Sequence, residues 1–215
     1  VGVIQNGGEL QLNIEGLWYR TILWEVPLMA IISETFFIMT GEKIKSQTEI
    51  SQNNQRKAAL CSGHSIKLSD FGTRRRYSFD IQNQLINDLK NYIFPKTLFI
   101  GTSNVYFSYL YDLVPKGTEA HEWFMFHAAK YGFQMANELG LKHWADVYNG
   151  DLGTALPDTF TSTSFLKSFN KRYTKLYDGL RHDSGDPYQF TDKVIKHYEN
   201  MGVDPQSKSI VFSDS

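Results

Sequence analysis

From about residue 67 the chain settles into one repeating unit: a short apolar run, a turn rich in Gly, Asp and Thr, then a stretch of helical period. "TLFI" leads through "GTSN" into "VYFSYLYDL", and "SIVF" is the last strand-like run. Parallel strands need long crossovers, and the crossover helix must bury its apolar stripe on the sheet it leaves. The alternation therefore predicts an α/β fold with parallel strands inside and helices outside, either a barrel or an open doubly wound sheet. In both, ligands gather at the carboxyl ends of the strands. Polar clusters fall at five such ends: "SDFGTRRRYS" after Ile66 to Leu68, "GTSN" after Ile100, "GDLGTALPDT" after Val147 and Tyr148, "RHDSGDP" after Leu180, and "SDS" after Phe212.

The helices between them are legible from spacing. Phe124, Ala128, Tyr131, Met135 and Leu139 recur at three and four, predicting one helix that closes near Gly140. Phe165, Phe169 and Tyr173 share a face, as do Val194, Ile195, Tyr198 and Met201 before Gly202. Upstream, "GELQLNIEG" alternates as a half-buried strand, and "RTILWEVPLMAIISETFFIM" reads as a second strand leading through Pro27 into a mostly buried helix. The polar stretch "TGEKIKSQTEISQNNQRKAAL" is a domain boundary or a surface helix. Residues 1–60 are accordingly expected to be part of an N-terminal α/β domain with a connecting helix, and residues 61–215 the main α/β domain. The start at Val1 and the stop straight after a strand suggest a fragment, incomplete at its C-terminus.

Charge narrows the function classes. Lys and Arg total 22 against 23 Asp and Glu, so no global field collects nucleic acid, and any anion site must be local. The single cysteine, Cys61, excludes an internal disulfide and reads as a small buried hydrophobe of a reducing compartment. The longest apolar run, Val26 to Met39, is interrupted by Ser33, Glu34 and Thr35, which reads as too short and too polar for a bilayer span. A cytoplasmic location is expected. Paired cysteines, HExxH and GxSxG are all absent from the sequence, which sets zinc and serine-hydrolase chemistry aside, and neither GxGxxG nor a Walker pattern occurs.

Individual motifs point to an anion. Arg74, Arg75 and Arg76 follow a Gly-Thr turn; an arginine triplet is usually a solvated face, but one fork turned inward would hold a phosphate or carboxylate, and Arg74, nearest the glycine, is the candidate. Asp158 beside Thr159 suits a hydrated Mg²⁺ or a ribose, and equally a helix cap. His182 sits inside the charged turn and is placed to orient it. His121 lies just before a helix, where a phosphate on its imidazole would meet backbone N–H groups. The other four histidines read as ordinary surface or core residues.

Taken in order, "FGTRRRYS", "GTSNV", "GTEAHEW", "NGDLGTALPDT" and "YDGLRHDSGDP", with "IEGLWYRTILWEVPLMAIISE" near the start, strongly resemble the nicotinate phosphoribosyltransferases of the bacterial and yeast type, over nearly the whole chain. The resemblance implies an irregular, roughly seven-stranded α/β barrel of the type II phosphoribosyltransferases joined to part of an N-terminal α/β domain. It implies transfer of the phosphoribosyl group of PRPP to nicotinate in NAD biosynthesis and salvage, giving nicotinate mononucleotide and pyrophosphate. Such an enzyme is of the ATP-dependent, ligase type, with ATP hydrolysis coupled through a phosphohistidine.

On this sequence the matching histidine is His121. Arg181 and Asp183 join it as catalytic positions, and Arg74, Phe71, Ser103, Asn104, Asp158, Thr159, Ser184 and Asp214 match substrate-binding ones. Asp158 and Asp183 match positions near Mg²⁺. Nicotinate, PRPP and ATP are the implied small-molecule partners, with Mg²⁺ as cofactor and a homodimer as the implied assembly; nucleic acid and membrane are not. The nicotinamide-specific relatives tend to carry an Asp after the Gly-Thr where this chain has Ser103-Asn104, and an acidic group there would repel nicotinate. A non-catalytic PRPP- or anion-binding module of the same fold is the further alternative, and the fragment alone need not be active.

Overall fold

The computed structural model describes residues 2–6 and 8–213, the first segment by its backbone alone. Two compact units divide between Lys116 and Gly117. The first opens with an antiparallel hairpin, β1 (Gly2–Asn6) against β2 (Glu9–Asn13), in which Asn6 faces Glu9. There follow α1 (Trp18–Thr21), a 3₁₀ turn at Ile22–Trp24, α2 (Glu25–Thr40) and α3 (Gln47–Gly63). A reciprocal Ser46–Glu49 capping box starts α3, satisfying two backbone donors that would otherwise lack partners. Next come β3 (Leu68–Asp70), α4 (Phe79–Tyr92), β4 (Phe99–Thr102) and α5 (Val105–Tyr111). β3 and β4 pair in parallel, and Ile86, Leu89, Ile93, Phe99 and Phe107 pack with Ala58 and Cys61 into the core beneath them.

The second unit holds α6 (His121–Tyr131), α7 (Phe133–Tyr148), β5 (Thr154–Ala155), α8 (Ser162–Ser168), α9 (Lys171–Leu176), β6 (Gly179–His182), α10 (Pro187–Asn200) and β7 (Ser209–Phe212). Its sheet has the order β5-β6-β7, all parallel. Phe165, Phe169 and Tyr173, and Val194 and Tyr198, are buried in one cluster as their spacing predicts, joined by Tyr177 and Leu180, whereas Ile195 of the second expected face is exposed. Gly179 lets β6 run close against β7: a Cβ there would lie 2.0 Å from the Ser209 carbonyl oxygen. α7 packs on α6 at Gly140, where a Cβ would come within 2.8 Å of the Phe124 ring.

The α/β class holds, but within the units the described residues form small separate sheets, not a closed ring of seven strands. Several local expectations are corrected. The segment from Arg20 to Met39 contains no strand, and α2 is not mostly buried: Ala30 is its only buried residue. Pro27 falls in the first turn of α2, where a missing N–H costs nothing, so it starts a helix instead of separating one from a strand. The single helix expected to close at Gly140 is two: Gly132, at φ +86°, ends α6, and Gly140 lies inside α7. Val147 and Tyr148 accordingly end a helix, and the strand at that position is the two-residue β5 inside the turn. Of the polar stretch, residues 47–60 lie in helix α3, the surface-helix reading of the two, while Thr40 ends α2.

The apolar segment also needs restating. Joined through the 3₁₀ turn, Trp18–Thr40 runs for 23 helical residues and contains an 18-residue stretch with a mean hydropathy of 1.7, long and apolar enough by length and composition to cross a membrane. The polar residues within it are nonetheless engaged. Glu34 pairs with Arg76 at 3.4 Å and accepts the Phe79 N–H at 3.1 Å, while the Ser33 hydroxyl donates to the Arg76 carbonyl at 2.8 Å.

Candidate active site

The second unit gathers the charged residues of three segments. His121 is the first residue of α6, whose N-cap, Ala120, offers no capping side chain. Asp158 lies beyond β5, and Arg181 and Asp183 lie on and just after β6. The Nε2 of His121 is 3.3 Å from Asp158 Oδ1 and 3.7 Å from Asp183 Oδ2. Ser184 donates from Oγ to Asp158 Oδ2 at 2.5 Å, closing the cluster from the far side. The His121 side chain is 41% exposed, against 14% and 19% for the two carboxylates, so the imidazole is the most accessible of the three groups.

Arg181 is held on three sides. It donates from Nη2 to Asp183 Oδ1 at 2.6 Å, from Nη1 to Thr118 Oγ1 at 3.0 Å and from Nε to Ser213 Oγ at 2.7 Å. Burial alone would raise the Asp183 carboxyl, but the bonds from Ser213 and Arg181 outweigh it and hold the group below its ordinary value. Asp183 is therefore an anion at neutral pH. His182, buried at the end of β6, reaches with Nε2 to the Gly185 carbonyl at 3.1 Å and so fixes the turn, the orienting part expected of it.

One residue of this neighbourhood was not a candidate from the sequence. Glu119 is 1% exposed. Its Oε1 accepts the Tyr177 hydroxyl at 2.5 Å and its Oε2 the Leu156 N–H at 3.3 Å, and its own N–H donates to the Thr154 carbonyl at 3.1 Å. Burial pushes its carboxyl up to about 8, since two neutral donors only partly offset the loss of water.

Asp158 is not the cap of the following helix: Thr161 caps α8, accepting the Ser164 N–H at 3.0 Å, which leaves the Asp158 carboxylate to His121 and Ser184. Thr159 Oγ1 is buried and unbonded among the described residues. Asp214 lies outside the described residues. The carboxylates of Asp158 and Asp183 are the oxygen donors Mg²⁺ takes, usually one or two of them with water and phosphate completing the shell. The His121 nitrogen is a poorer match for so hard a cation.

The remaining expected residues belong to the first unit. Asp70 organises them from the end of β3: Oδ1 accepts the Gly72 N–H at 3.1 Å, and Oδ2 accepts Gln82 Nε2 at 3.0 Å and the Thr102 hydroxyl at 2.8 Å. The Ser103 N–H donates to the Asp70 carbonyl at 2.8 Å. Asn104 caps α5, accepting the Phe107 N–H at 3.1 Å, and donates to Thr73 Oγ1 at 3.0 Å. Phe71 is exposed. Of the arginine triplet, Arg76 is the enclosed member, paired with Glu34 and set 5.2 Å from the centroid of the Phe79 ring. Arg74 is exposed and 3.5 Å from Glu25.

Residues 66–215 match the nicotinate phosphoribosyltransferase (NAPRTase) family. The chain belongs to that family. Across all of its length it is 50% identical to the nicotinate phosphoribosyltransferase of Chromohalobacter salexigens and 48% identical to that of Desulforapulum autotrophicum, covering 55% and 54% of those proteins. Its fold superposes on the crystal structure of the nicotinate phosphoribosyltransferase from Porphyromonas gingivalis with a TM-score of 0.94 at 40% identity, covering all of this chain and 55% of that one. The Vibrio cholerae enzyme gives 0.85 at 36%, covering 93% and 48%. The chain thus spans about half the length of the relatives it matches.

Proposed function

We propose that the protein containing this chain transfers the phosphoribosyl group of PRPP to nicotinate, yielding nicotinate mononucleotide and pyrophosphate for NAD biosynthesis, and couples that transfer to ATP hydrolysis through a phosphate carried on His121. One observation carries the reading: in a member of this family, an accessible imidazole nitrogen stands 3.3 and 3.7 Å from two carboxylates, one of them locked to an arginine.

In the transfer, the bond from ribose C1 to the pyrophosphate oxygen breaks and its electrons leave with pyrophosphate, while the lone pair of the pyridine nitrogen forms the new bond to C1. The ring nitrogen needs no base and the sugar no protein nucleophile. The protein holds the ring in line, stabilises cationic character on the ribose and meets the charge growing on the leaving group. Asp158 and Asp183 supply negative charge beside the ribose, and Arg181 binds pyrophosphate oxygens as a fork that Asp183, Thr118 and Ser213 keep in place. Mg²⁺, held by Asp158 and Asp183, would screen the pyrophosphate charge. Thr159 and Ser184 are the further substrate contacts proposed in this unit; Phe71, Arg74, Ser103 and Asn104 are those proposed for the first unit by itself, and Asp214, outside the described residues, is proposed from the resemblance alone.

His121 acts separately. Its Nε2 passes any proton it shares with Asp158 to that carboxylate, and the freed lone pair forms the bond to the terminal phosphorus of ATP while the bond to the ADP oxygen breaks and its electrons leave with ADP. The phosphate then sits at the start of α6, where backbone dipoles favour an anion, and its later hydrolysis shifts the loops from the tight-binding arrangement to release. Subunit pairing and a cytoplasmic location are part of the same proposal.

The test is nicotinate mononucleotide formation by the full-length protein with Mg²⁺, with and without ATP, and with nicotinamide as the competing base. Product from nicotinate alone, stimulated by ATP, is expected. His121→Ala is expected to abolish the stimulation and leave slow ATP-independent transfer; equal loss of both activities would refute the coupling role.

A further inference from the structure

We infer that Glu119 is a positioning residue, whose buried side chain clamps the segment carrying His121 to the turn that leads to Asp158 and to the residue that leads into β6, the strand of Arg181. The inference rests on the reading of His121 above. The residues from 118 to 121 point in three directions: Thr118 accepts from Arg181, Glu119 turns into the core, and His121 meets the two aspartates. Beneath the exposed contacts of His121, the buried Glu119 side chain ties this segment to both neighbours from the core side, since Leu156 lies two residues before Asp158 and Tyr177 two residues before β6 begins at Gly179.

A buried carboxyl is a costly way to hold a turn. Its two oxygens and long stem reach two partners at once, which the small residues around it cannot do. Among the described residues Glu119 makes no ion pair, and its partners are a hydroxyl and a backbone N–H; Tyr177 is the titratable group that faces it directly. Burial favours the protonated carboxyl at neutral pH, so a glutamine of the same length is close to the native side chain in charge and shape. Glutamine can accept from Leu156 N–H and donate to the Tyr177 oxygen. Alanine makes neither bond, and aspartate is one carbon too short to reach both.

The consequence is specific to His121. Displacing a reacting group by ~1 Å costs on the order of a hundredfold in rate; because loss of active protein by destabilisation also lowers apparent kcat at constant KM, each rate is referred to the folded fraction of the variant. In the full-length protein, Glu119→Gln is expected to retain ATP-stimulated transfer within about threefold, while Glu119→Asp and Tyr177→Phe lose roughly ten- to a hundredfold in ATP-stimulated kcat with KM for nicotinate nearly unchanged.

Histidine ring NMR of the same variants provides a readout that needs no turnover. The His121 resonances should move in Glu119→Asp and Tyr177→Phe and stay in place in Glu119→Gln, with His197, bound to the Phe169 carbonyl at 2.7 Å, as the internal control. If the protein makes no nicotinate mononucleotide, the functional reading fails while the ring shifts still decide the clamp. Unmoved His121 resonances in folded Glu119→Asp and Tyr177→Phe overturn it, and so does a Glu119→Gln variant as impaired as Glu119→Asp, because charge and not position would then be the requirement.

Discussion

Replacing Arg181 by Met keeps most of the side-chain stem and removes the fork. Three hydrogen bonds go, one of them to an ionised carboxylate at 2.6 Å. The Arg181 and Asp183 side chains are 17% and 19% exposed, so the pair lies between the surface case, where an ion pair is worth ~0–1 kcal/mol, and the fully buried case, where removing one partner costs ~3–5. An intermediate loss of ~2–3 kcal/mol is expected. If the fork is also what meets pyrophosphate, the same loss appears in PRPP affinity as a roughly 30- to 150-fold weakening.

The assay is a double-mutant cycle of Arg181→Met with Asp183→Asn, read both as PRPP binding by calorimetry and as urea midpoint. Coupling of ~1–3 kcal/mol between the two positions is expected in stability. Acid adds a check of sign. The Asp183 carboxyl lies below its unfolded value, so its contribution is present above that unfolded value and is lost as pH falls through the folded one. In Arg181→Met this acid-dependent loss should shrink. Coupling below ~0.3 kcal/mol, with an unchanged acid limb, would refute the claim that Arg181 and Asp183 act as one unit.

Glu119→Gln should show the opposite pH trend in stability. The native carboxyl keeps its proton up to about 8 while the unfolded chain loses it near 4.5, so the wild type loses stability across that window and the variant does not; the variant's unfolding free energy from urea titration, relative to wild type, should rise steadily from about pH 5 to about pH 8 and then level off. Gly179→Ala drives a Cβ to 2.0 Å from the Ser209 carbonyl oxygen and should cost ~3 kcal/mol or more, lowering Tm by roughly 6–12 °C, whereas Gly153→Ala, with open space and φ +67°, should cost ~1 kcal/mol. Asp70→Ala leaves Gln82, Thr102 and the Gly72 N–H without their acceptor and should cost ~2–4 kcal/mol by urea unfolding; a loss below ~0.5 kcal/mol would mean the network is not structural.

How far the sequence could be read depended on whether the deciding information was local. Phe165, Phe169 and Tyr173 were legible as one buried face even though Asn170 breaks the chain into two helices and caps the second, because the apolar spacing survives the break. The failures have tertiary causes. That Arg76 is the enclosed member of the arginine triplet could not be read locally, because its partner is Glu34 on α2, more than forty residues away in the chain. β5 is two residues long and has no period to detect. Nothing marked Glu119 within "GTEAHEW", since burial of a glutamate depends on Tyr177 and Leu156, which only the fold brings near. His121, Asp158, Arg181 and Asp183 stood out in the ordered motifs, and the fold places all four in one unit.

Gly140 has a consequence that reaches past packing. The Phe124 ring occupies the space its side chain would need, and Trp123 donates to its carbonyl at 3.0 Å, so α6 is fixed to α7 three residues after His121. A saturating mutational screen of this protein should therefore register Gly140 as nearly as intolerant as the histidine itself, and a reader of that screen who assigned chemistry to every intolerant position would place a substrate where there is only the back wall of a helix.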